Sequence, residues 1–296
     1  MVADIIGGMT SAADAIAARQ KPAPGTLALD HISHFLPDLD AAAAWLERLG
    51  FAVTPLSVQQ TQDGPAGSSN RCVMLEEGYL EFLTPTLDTP VARQMRLYMA
   101  RHIGTHLACF GTPEAAFEHQ RLAAHGFAPL PLVHLARQVA DGRTVRFNVV
   151  RVPPEKMPEG RIQFVEHLAP ECIWVDESLR HDNGVLALDA VFVVAEDPVA
   201  TAARWAEFAG LLPRREGERI RIETDRGDIV VATRAVLAAA LGVAPEAPAL
   251  AGYGLRCRDA RAFADRCRQA GLAVQPTDGG YAVRLPPALG GTWRIR

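Results

Sequence analysis

The sequence predicts an α+β fold built from four copies of one strand–helix–strand unit. The letters Leu-Ala-Leu-Asp end at Asp30 and again at Asp189, and Asp38 and Asp197 keep the same spacing from them. Each copy continues with a helical pattern and then with further apolar strands. Because such a unit leaves one sheet face that needs a partner, we expect the first copy to pair with the second and the third with the fourth.

Length and composition limit the classes of function. A chain of 296 residues favours two domains, and 49% hydrophobic with 22% charged residues is typical of a globular protein. The net charge of −4 without a basic stripe argues against a nucleic-acid partner. The sequence has no apolar run of about 18 residues, so we expect no membrane span, and the N-terminus lacks the pattern of a signal peptide. Five cysteines without a C-x-x-C pair indicate reduced thiols and a cytoplasmic protein.

The first two units follow a common order. In the first, a strand covers residues 27–35, and Asp38 caps a helix that Gly50 ends. Residues 51–58 are extended, a polar loop covers 61–70, and strands follow at 71–75 and 79–84. A connecting segment over 91–101 leads to the second unit. There a strand covers 102–110, Gly126 ends the helix, residues 127–133 are extended, and strands follow at 144–152 and 161–168.

The third unit begins at Leu186 and the fourth at Tyr253, with residues 243–251 between them as a linker. The predicted organisation is an N-terminal extension over 1–26, which includes a short helix over 11–19, a first domain over 27–172 and a second domain over 184–296.

Two histidines and two glutamates occupy matching positions in the first two units. His31 and His106 lie on the opening strands, 19 and 20 residues before the glycines that end the helices, and Glu81 and Glu166 each stand four residues before a proline. A carboxylate in an apolar strand needs a partner. Two imidazoles and two carboxylates suit a divalent transition metal with open positions for water or substrate. The alternatives are structural histidines, and glutamates paired with arginines such as Arg146 or Arg161.

The second half lacks these groups. Ala190 stands where the first histidine would be, and the pattern Gly-Tyr-Gly-Leu places Gly254 where the first half has His106. We therefore expect the working site in the first domain and a degenerate second domain.

The ordered motifs resemble the vicinal oxygen chelate superfamily, and in detail its glyoxalase-like domain proteins. The residues that carry the resemblance are Leu29-Asp30-His31, Pro37 to Ala42, Leu49-Gly50-Phe51, Ser69-Asn70-Arg71 and Tyr79-Leu80-Glu81. The resemblance implies βαβββ modules paired into two cupped mixed-sheet barrels. It also implies His31, Glu81, His106 and Glu166 as metal ligands, with Glu81 or Glu166 as the catalytic base.

The implied activity is that of a metal-dependent lyase or isomerase acting on a small carbonyl or vicinal-oxygen compound. The divalent metal is left open among Zn, Ni, Co, Mn and Fe. The alternatives are an extradiol-type ring-cleaving dioxygenase, which needs two histidines and one glutamate around iron, and a non-catalytic binding or resistance protein. A homodimer is compatible with the resemblance.

Polar residues beside the core strands are the candidates for substrate binding. Asn70 and Arg71 precede a core strand of the first unit, and Arg146 and Asn148 lie on the matching strand of the second. A cup that orients an oxygen-rich ligand needs such groups. Ordinary solvation of a strand edge is the alternative explanation.

Overall fold

The structure is a computed structural model that describes residues 11–61, 64–138 and 142–296. Residues 1–10 of the predicted extension therefore lie outside the described residues. The extension contributes the helix α1 (Ala12–Arg19), which begins where the Ser11 side chain accepts a hydrogen bond from the Asp14 backbone N–H. The expected short helix over 11–19 is present.

The first half of the chain has two βαβββ units. The first unit consists of β1 (Ala28–Phe35), α2 (Leu39–Arg48), β2 (Ser57–Thr61), β3 (Gly64–Met74) and β4 (Tyr79–Pro85). After α3 (Pro90–Arg101), the second unit consists of β5 (Gly104–Gly111), α4 (Ala115–Ala124), β6 (Val133–Gln138), β7 (Thr144–Arg151) and β8 (Arg161–His167).

The second half repeats this order after two short 3-10 turns at Pro170–Cys172 and Asp176–Leu179. Its third unit consists of β9 (Val185–Val194), α5 (Pro198–Ala209), β10 (Pro213–Glu216), β11 (Arg219–Ile222) and β12 (Asp228–Ala232). After α6 (Arg234–Leu241), the fourth unit consists of β13 (Ala249–Cys257), α7 (Ala260–Gln269), β14 (Ala273–Thr277), β15 (Gly280–Arg284) and β16 (Thr292–Ile295).

Each half forms one eight-stranded mixed sheet. The strand orders are β2-β3-β4-β1-β5-β8-β7-β6 and β10-β11-β12-β9-β13-β16-β15-β14, so the opening strands of paired units lie side by side at the centre. The central strands are antiparallel to each other and parallel to the closing strands of their own units. The edge strands β2 and β6 approach each other, which closes the first sheet nearly into a barrel. The expected α+β fold of two cupped sheets is confirmed.

Three details differ from the expectations. The segment expected to be connecting chain is the helix α3, which Thr89 caps and Pro90 begins, and a matching helix α6 precedes the expected linker. Much of the expected polar loop over 61–70 belongs to the long strand β3. Small residues such as Gly64, Ala66 and Gly67 weaken the strand pattern there, although pairing with β2 and β4 extends the strand.

The two sheets share one hydrophobic core on their convex sides. Helices α2, α4, α5 and α7 lie there, and the same cluster contains Phe82 and Phe164 of the first sheet with Trp205, Phe208 and Trp293 of the second half. Phe164 stacks on Phe208 with ring centroids 4.8 Å apart. The concave sides of the sheets therefore face away from the shared core.

One end of the first concave face is covered by chain that is not part of the sheet. Ala17 of α1 and Trp174 pack with Cys72 and Met74 of β3, and the Trp174 indole N–H donates to the Leu75 carbonyl at 3.0 Å. Within the described ranges, no helix is long and apolar enough to cross a membrane.

Candidate active site in the first cup

The concave face of the sheet β1–β8, called the first cup below, encloses a cavity of about 150 Å³. Alternation along the strands decides which side chains reach it, because successive residues of a strand point to opposite faces. Polar groups from the central strands gather at its floor, while most of the wall is apolar. The apolar wall includes Leu83, Leu107, Leu135, Phe147, Val149 and Val165.

His31 and Glu81 face each other at the floor of the cup. The distance from His31 Nε2 to Glu81 Oε2 is 3.9 Å, and both side chains are buried. Ser33 donates a hydrogen bond to Glu81 Oε2 at 2.6 Å and the Asn70 amide donates to Oε1 at 2.7 Å. These donors hold the carboxylate in place, and its separation from the imidazole nitrogen is short enough for a metal ion at about 2.0 to 2.2 Å to contact both atoms.

Asp30 also belongs to the floor of the cup, although it is the neighbour of His31 in sequence. The pairing of β1 with β5 skips Asp30, so this residue is a β-bulge. Its carboxylate lies 2.7 Å from His31 Nδ1 and 3.0 Å from His167 Nε2. Burial alone would raise the pKa of Asp30, but the imidazoles of His167 and His31 outweigh it and hold that pKa well below its usual range. Asp30 is therefore an anion between two imidazoles.

Cys109 completes a cluster of possible metal donors. One donor atom each from Asp30, His31 and Cys109 lies within 4.8 Å of the others. Burial raises the pKa of the Cys109 thiol, and the charge of Asp30 raises it further. The thiol is therefore protonated at neutral pH and is a weaker donor than the imidazole and the carboxylates. No disulfide joins any of the five cysteines, all of which the structure describes.

His106 does not reach the cavity. His106 is the bulge residue of β5 in its pairing with β1. Its Nε2 lies 2.7 Å from the His102 carbonyl oxygen under α3. Its ring packs beside Phe35 and Tyr98. Burial, and then His102, lower the pKa of His106 to about 3. A neutral imidazole enclosed in this way supports the packing of α3 on the sheet.

Glu166 points to the convex side of the sheet. Its Oε2 accepts hydrogen bonds from the Ala115 backbone N–H at 3.2 Å and from the Asn148 amide at 2.9 Å. Ala115 is the first residue of α4, and Glu114 before it makes no side-chain cap. The Glu166 carboxylate therefore caps the N-terminus of α4 and interacts favourably with the positive end of the helix dipole. The structure thus brings His31 and Glu81 together and separates them from His106 and Glu166.

The expected substrate-binding residues divide in the same way. Asn70 lines the cup and holds Glu81. Arg71 points outward to Asp40, at 2.9 Å, and Arg146 is exposed. Asn148 lies on the convex side with Glu166. Alternation explains these positions, since Phe147 and Val149 of the same strand face the cavity.

The strand register shows which residues are equivalent. His31 lies opposite Tyr79 in the parallel pair β1–β4, and Leu107 lies opposite Arg161 in the parallel pair β5–β8. Each follows the bulge residue of its strand, so Leu107 matches His31 and His106 matches Asp30. Counting 19 residues back from Gly126, as from Gly50 to His31, also leads to Leu107. By the same register, Gln163 matches Glu81.

The second cup is filled. Ala190 and Val230 occupy the positions of His31 and Glu81, and they pack with Leu237 and Leu241 of α6. In the antiparallel pair of central strands, Gly254 lies opposite Ala190, just as Cys109 lies opposite His31, so Gly254 matches Cys109. The residue of the second half that matches His106 is Ala251. Asp189 keeps the place of Asp30 but is paired with Arg296.

Comparisons with known proteins agree with this architecture. No curated protein shows significant sequence similarity to the chain. A crystal structure of a hypothetical protein from Staphylococcus aureus has 10% identity and a TM-score of 0.63, and the match covers 91% of this chain and 99% of that one. A mutant of 4-hydroxymandelate synthase from Streptomyces coelicolor has 16% identity and a TM-score of 0.55 over 92% of this chain and 93% of that one.

A further solved structure is the Mn(II)-bound glyoxalase from Novosphingobium aromaticivorans. It has 8% identity and a TM-score of 0.57, and the match covers 91% of this chain and 82% of that one. At these identities the likeness concerns the fold. The family model described as a glyoxalase-like domain matches residues 29–209, more than half of the chain. The chain therefore belongs to the glyoxalase-like domain family and has the fold of the vicinal oxygen chelate superfamily.

Proposed function

We propose that the chain is a glyoxalase-type enzyme, a lyase or isomerase that moves a proton next to a carbonyl group in a small molecule bound in the first cup. The observation that carries this proposal is the facing pair of His31 Nε2 and Glu81 Oε2, 3.9 Å apart at the floor of a largely apolar cavity. A positioned carboxylate beside an imidazole in a largely apolar cavity suits general acid–base catalysis.

Each member of this pair is held from behind. The Nδ1 atom of His31 lies 2.7 Å from the Asp30 carboxylate, which assigns the proton to Nδ1 and leaves the lone pair of Nε2 toward the cavity. Glu81 is fixed by Ser33 and Asn70. In this role, Glu81 accepts the proton from the carbon beside the carbonyl and returns it to the product, while Nε2 of His31 accepts a hydrogen bond from a hydroxyl group of the substrate.

His31 and Glu81 also suit a divalent metal ion. An imidazole nitrogen and a carboxylate oxygen are donors for Zn, Ni, Co, Mn and Fe, and a carboxylate bonded to the far nitrogen of a ligating histidine, as Asp30 is here, is the usual support for such a ligand. When bound, such an ion would supply Lewis-acid polarisation of the carbonyl oxygen. The Mn(II)-bound glyoxalase that shares this fold supports the choice of a divalent metal as cofactor.

A non-catalytic binding protein is the second candidate. Leu107 stands where a second histidine would match His31, and Gln163 stands where a second glutamate would match Glu81. Of the four ligands that the repeat predicted, only His31 and Glu81 therefore face the cup. A dioxygenase would need a second histidine facing the guest, whereas His167 uses its Nε2 for Asp30 and its Nδ1 is buried without a partner.

Proton transfer can be tested by deuterium exchange. Purified protein is incubated in D₂O with a panel of 2-hydroxy and 2-oxo carbonyl compounds, with and without each of the five metals, and exchange at the carbon beside the carbonyl is followed by NMR. We expect exchange to fall by at least about 100-fold in Glu81→Gln, since a positioned base contributes about 10² to 10⁴ in rate.

Glu166→Gln is the matched control, because this glutamate lies on a closing strand but faces away from the cup. It should keep the wild-type exchange rate. Metal content by mass spectrometry should fall in His31→Ala and Glu81→Ala. If no compound exchanges with any metal while small molecules still bind, the binding-protein candidate replaces the enzyme.

A further inference from the structure

Two arginines stand side by side at one end of the first cup. Arg151 is the last residue of β7 and Arg161 is the first residue of β8, and both line the cavity. They also line a smaller neighbouring cavity of about 30 Å³ under α3. The strand pairing places Arg151 opposite Gln163, two residues from Arg161. The two guanidinium groups therefore meet at the same end of the cup.

Neither guanidinium group has an anionic partner among the described residues. Most other partly buried arginines do: Arg71 pairs with Asp40, Arg121 with Glu118 and Arg221 with Asp228. The Nε of Arg151 is even buried without a hydrogen bond. Burial of a charge without a partner is costly, so a pair of such arginines in one cavity needs an explanation.

Both side chains remain cations in this setting. Burial, and then the neighbouring charge of Arg151, lower the pKa of Arg161 to about 10, and burial lowers that of Arg151. At neutral pH the end of the cup thus has two positive charges. Guanidinium groups bind carboxylates and phosphates through paired hydrogen bonds, and a cavity with low exposure to water strengthens such bonds.

The wall beside the arginines is apolar. Val149 of β7 and Val165 of β8 face the cavity from the same strands as the arginines, and Leu107 of β5 lies opposite Arg161. Phe147 and Leu135 continue the apolar surface toward β6. A ligand that is complementary to both the arginines and the apolar wall has an acidic group at one end and a hydrocarbon body. The polar floor with His31 and Glu81 then lies beside that body.

We propose that the first cup binds an organic anion, with its acid group between Arg151 and Arg161 and its apolar body against Leu107 and Val149. This inference rests on the proposed function in taking the first cup as the substrate site, and it gives the substrate class: a small carbonyl compound that also carries an acid group. The arginines position the substrate, and the chemistry remains at His31 and Glu81.

Calorimetric titration with three matched probes tests the proposal: 3-phenylpropanoate, 2-phenylethyl phosphate and the neutral 3-phenylpropanamide. We expect at least one anion to bind at least about 10-fold more tightly than the amide. Arg161→Gln should weaken that anion by about 10- to 100-fold, the range for a charge-assisted hydrogen bond, and Arg161→Lys by less. The comparison of carboxylate with phosphate decides which acid group the arginines accept.

Arg146→Gln is the control, because Arg146 lies on β7 with Arg151 but is exposed on the other face. It should bind like the wild type. Arg161→Gln should unfold at the same temperature or higher, since it removes a buried charge without a partner. A merely structural arginine would instead lower the melting temperature.

The proposal is overturned if the amide binds as well as both anions, if no anion binds, or if Arg161→Gln weakens binding no more than Arg146→Gln. Glu81→Gln separates this proposal from the proposed function, because it should lower the exchange rate and leave the anion bound. Anion binding without exchange in the wild type would refute the enzyme and leave the anion site standing.

Discussion

The carboxylate of Asp30 is the group whose removal should affect the first cup most. In Asp30→Asn the side chain keeps its shape but loses its charge, and its amide N–H₂ meets one of two imidazole nitrogens that lie 2.7 and 3.0 Å away. A hydrogen bond to a charged group contributes about 1.5 to 3 kcal/mol, and the Asp30 carboxylate takes part in two of them. We expect the free energy of unfolding at pH 7 to fall by about 3 to 5 kcal/mol.

The effect of pH has a definite sign. The folded pKa of Asp30 lies below its usual range, whereas an unfolded aspartate titrates near about 3.9. Below about pH 4 the unfolded chain binds a proton that the folded chain does not, so the wild type loses up to about 1.4 kcal/mol per pH unit from this group. Asp30→Asn has no carboxyl group at this position and therefore no such loss. The difference in the free energy of unfolding between the wild type and Asp30→Asn should then shrink as the pH falls.

Urea unfolding followed by tryptophan fluorescence at pH 7, 5 and 3.5 measures both effects. Asp40→Asn is the control, because Asp40 bonds Arg71 at 2.9 Å but is 87% exposed. Its cost should stay below about 1 kcal/mol. A cost for Asp30→Asn as small as that of the control, or one that grows on acidification, would refute the reasoning.

Three further predictions concern the framework around the cup. Glu166→Ala should lower stability by about 1 kcal/mol, measured by urea unfolding, because α4 loses its cap. Leu237→Ala should cost about 2 to 5 kcal/mol by opening a hole in the second cup, while titration shows unchanged binding in the first. Phe208→Ala should cost about 3 to 5 kcal/mol and should speed hydrogen exchange in both sheets, since its ring lies in their shared core.

The architecture could be predicted because it is repeated. Each unit begins with a strand and a capped helix, and a pattern found again after Asp30 and Asp189 constrains the fold more than local propensity does. The helices α3 and α6 between paired units could not be predicted in this way. Their role is to cover the concave side, which depends on contacts distant in sequence.

Half of the candidate site could be predicted, and strand phase explains the rest. His31 and Glu81 reach the cup, but the alignment of His106 with His31 was wrong by one residue. His106 matches the bulge residue Asp30, and Leu107 matches His31 and faces the cavity. In β8, alignment on the prolines at positions 85 and 170 matched Glu166 with Glu81, although the Glu166 side chain lies on the convex face of the sheet. The pattern Arg161, Gln163, Val165 and His167 faces the cavity instead.

The shared core on the convex sides has a consequence for the independence of the two halves. A fragment that ended near Cys172 would expose Phe82, Phe110 and Phe164 to water, together with the inner faces of α2 and α4. His34 would also lose its bonds to Leu289 and Tyr253. Because the two sheets share this core, we expect them to unfold together, and the second half then stabilises the first although its own cup is filled.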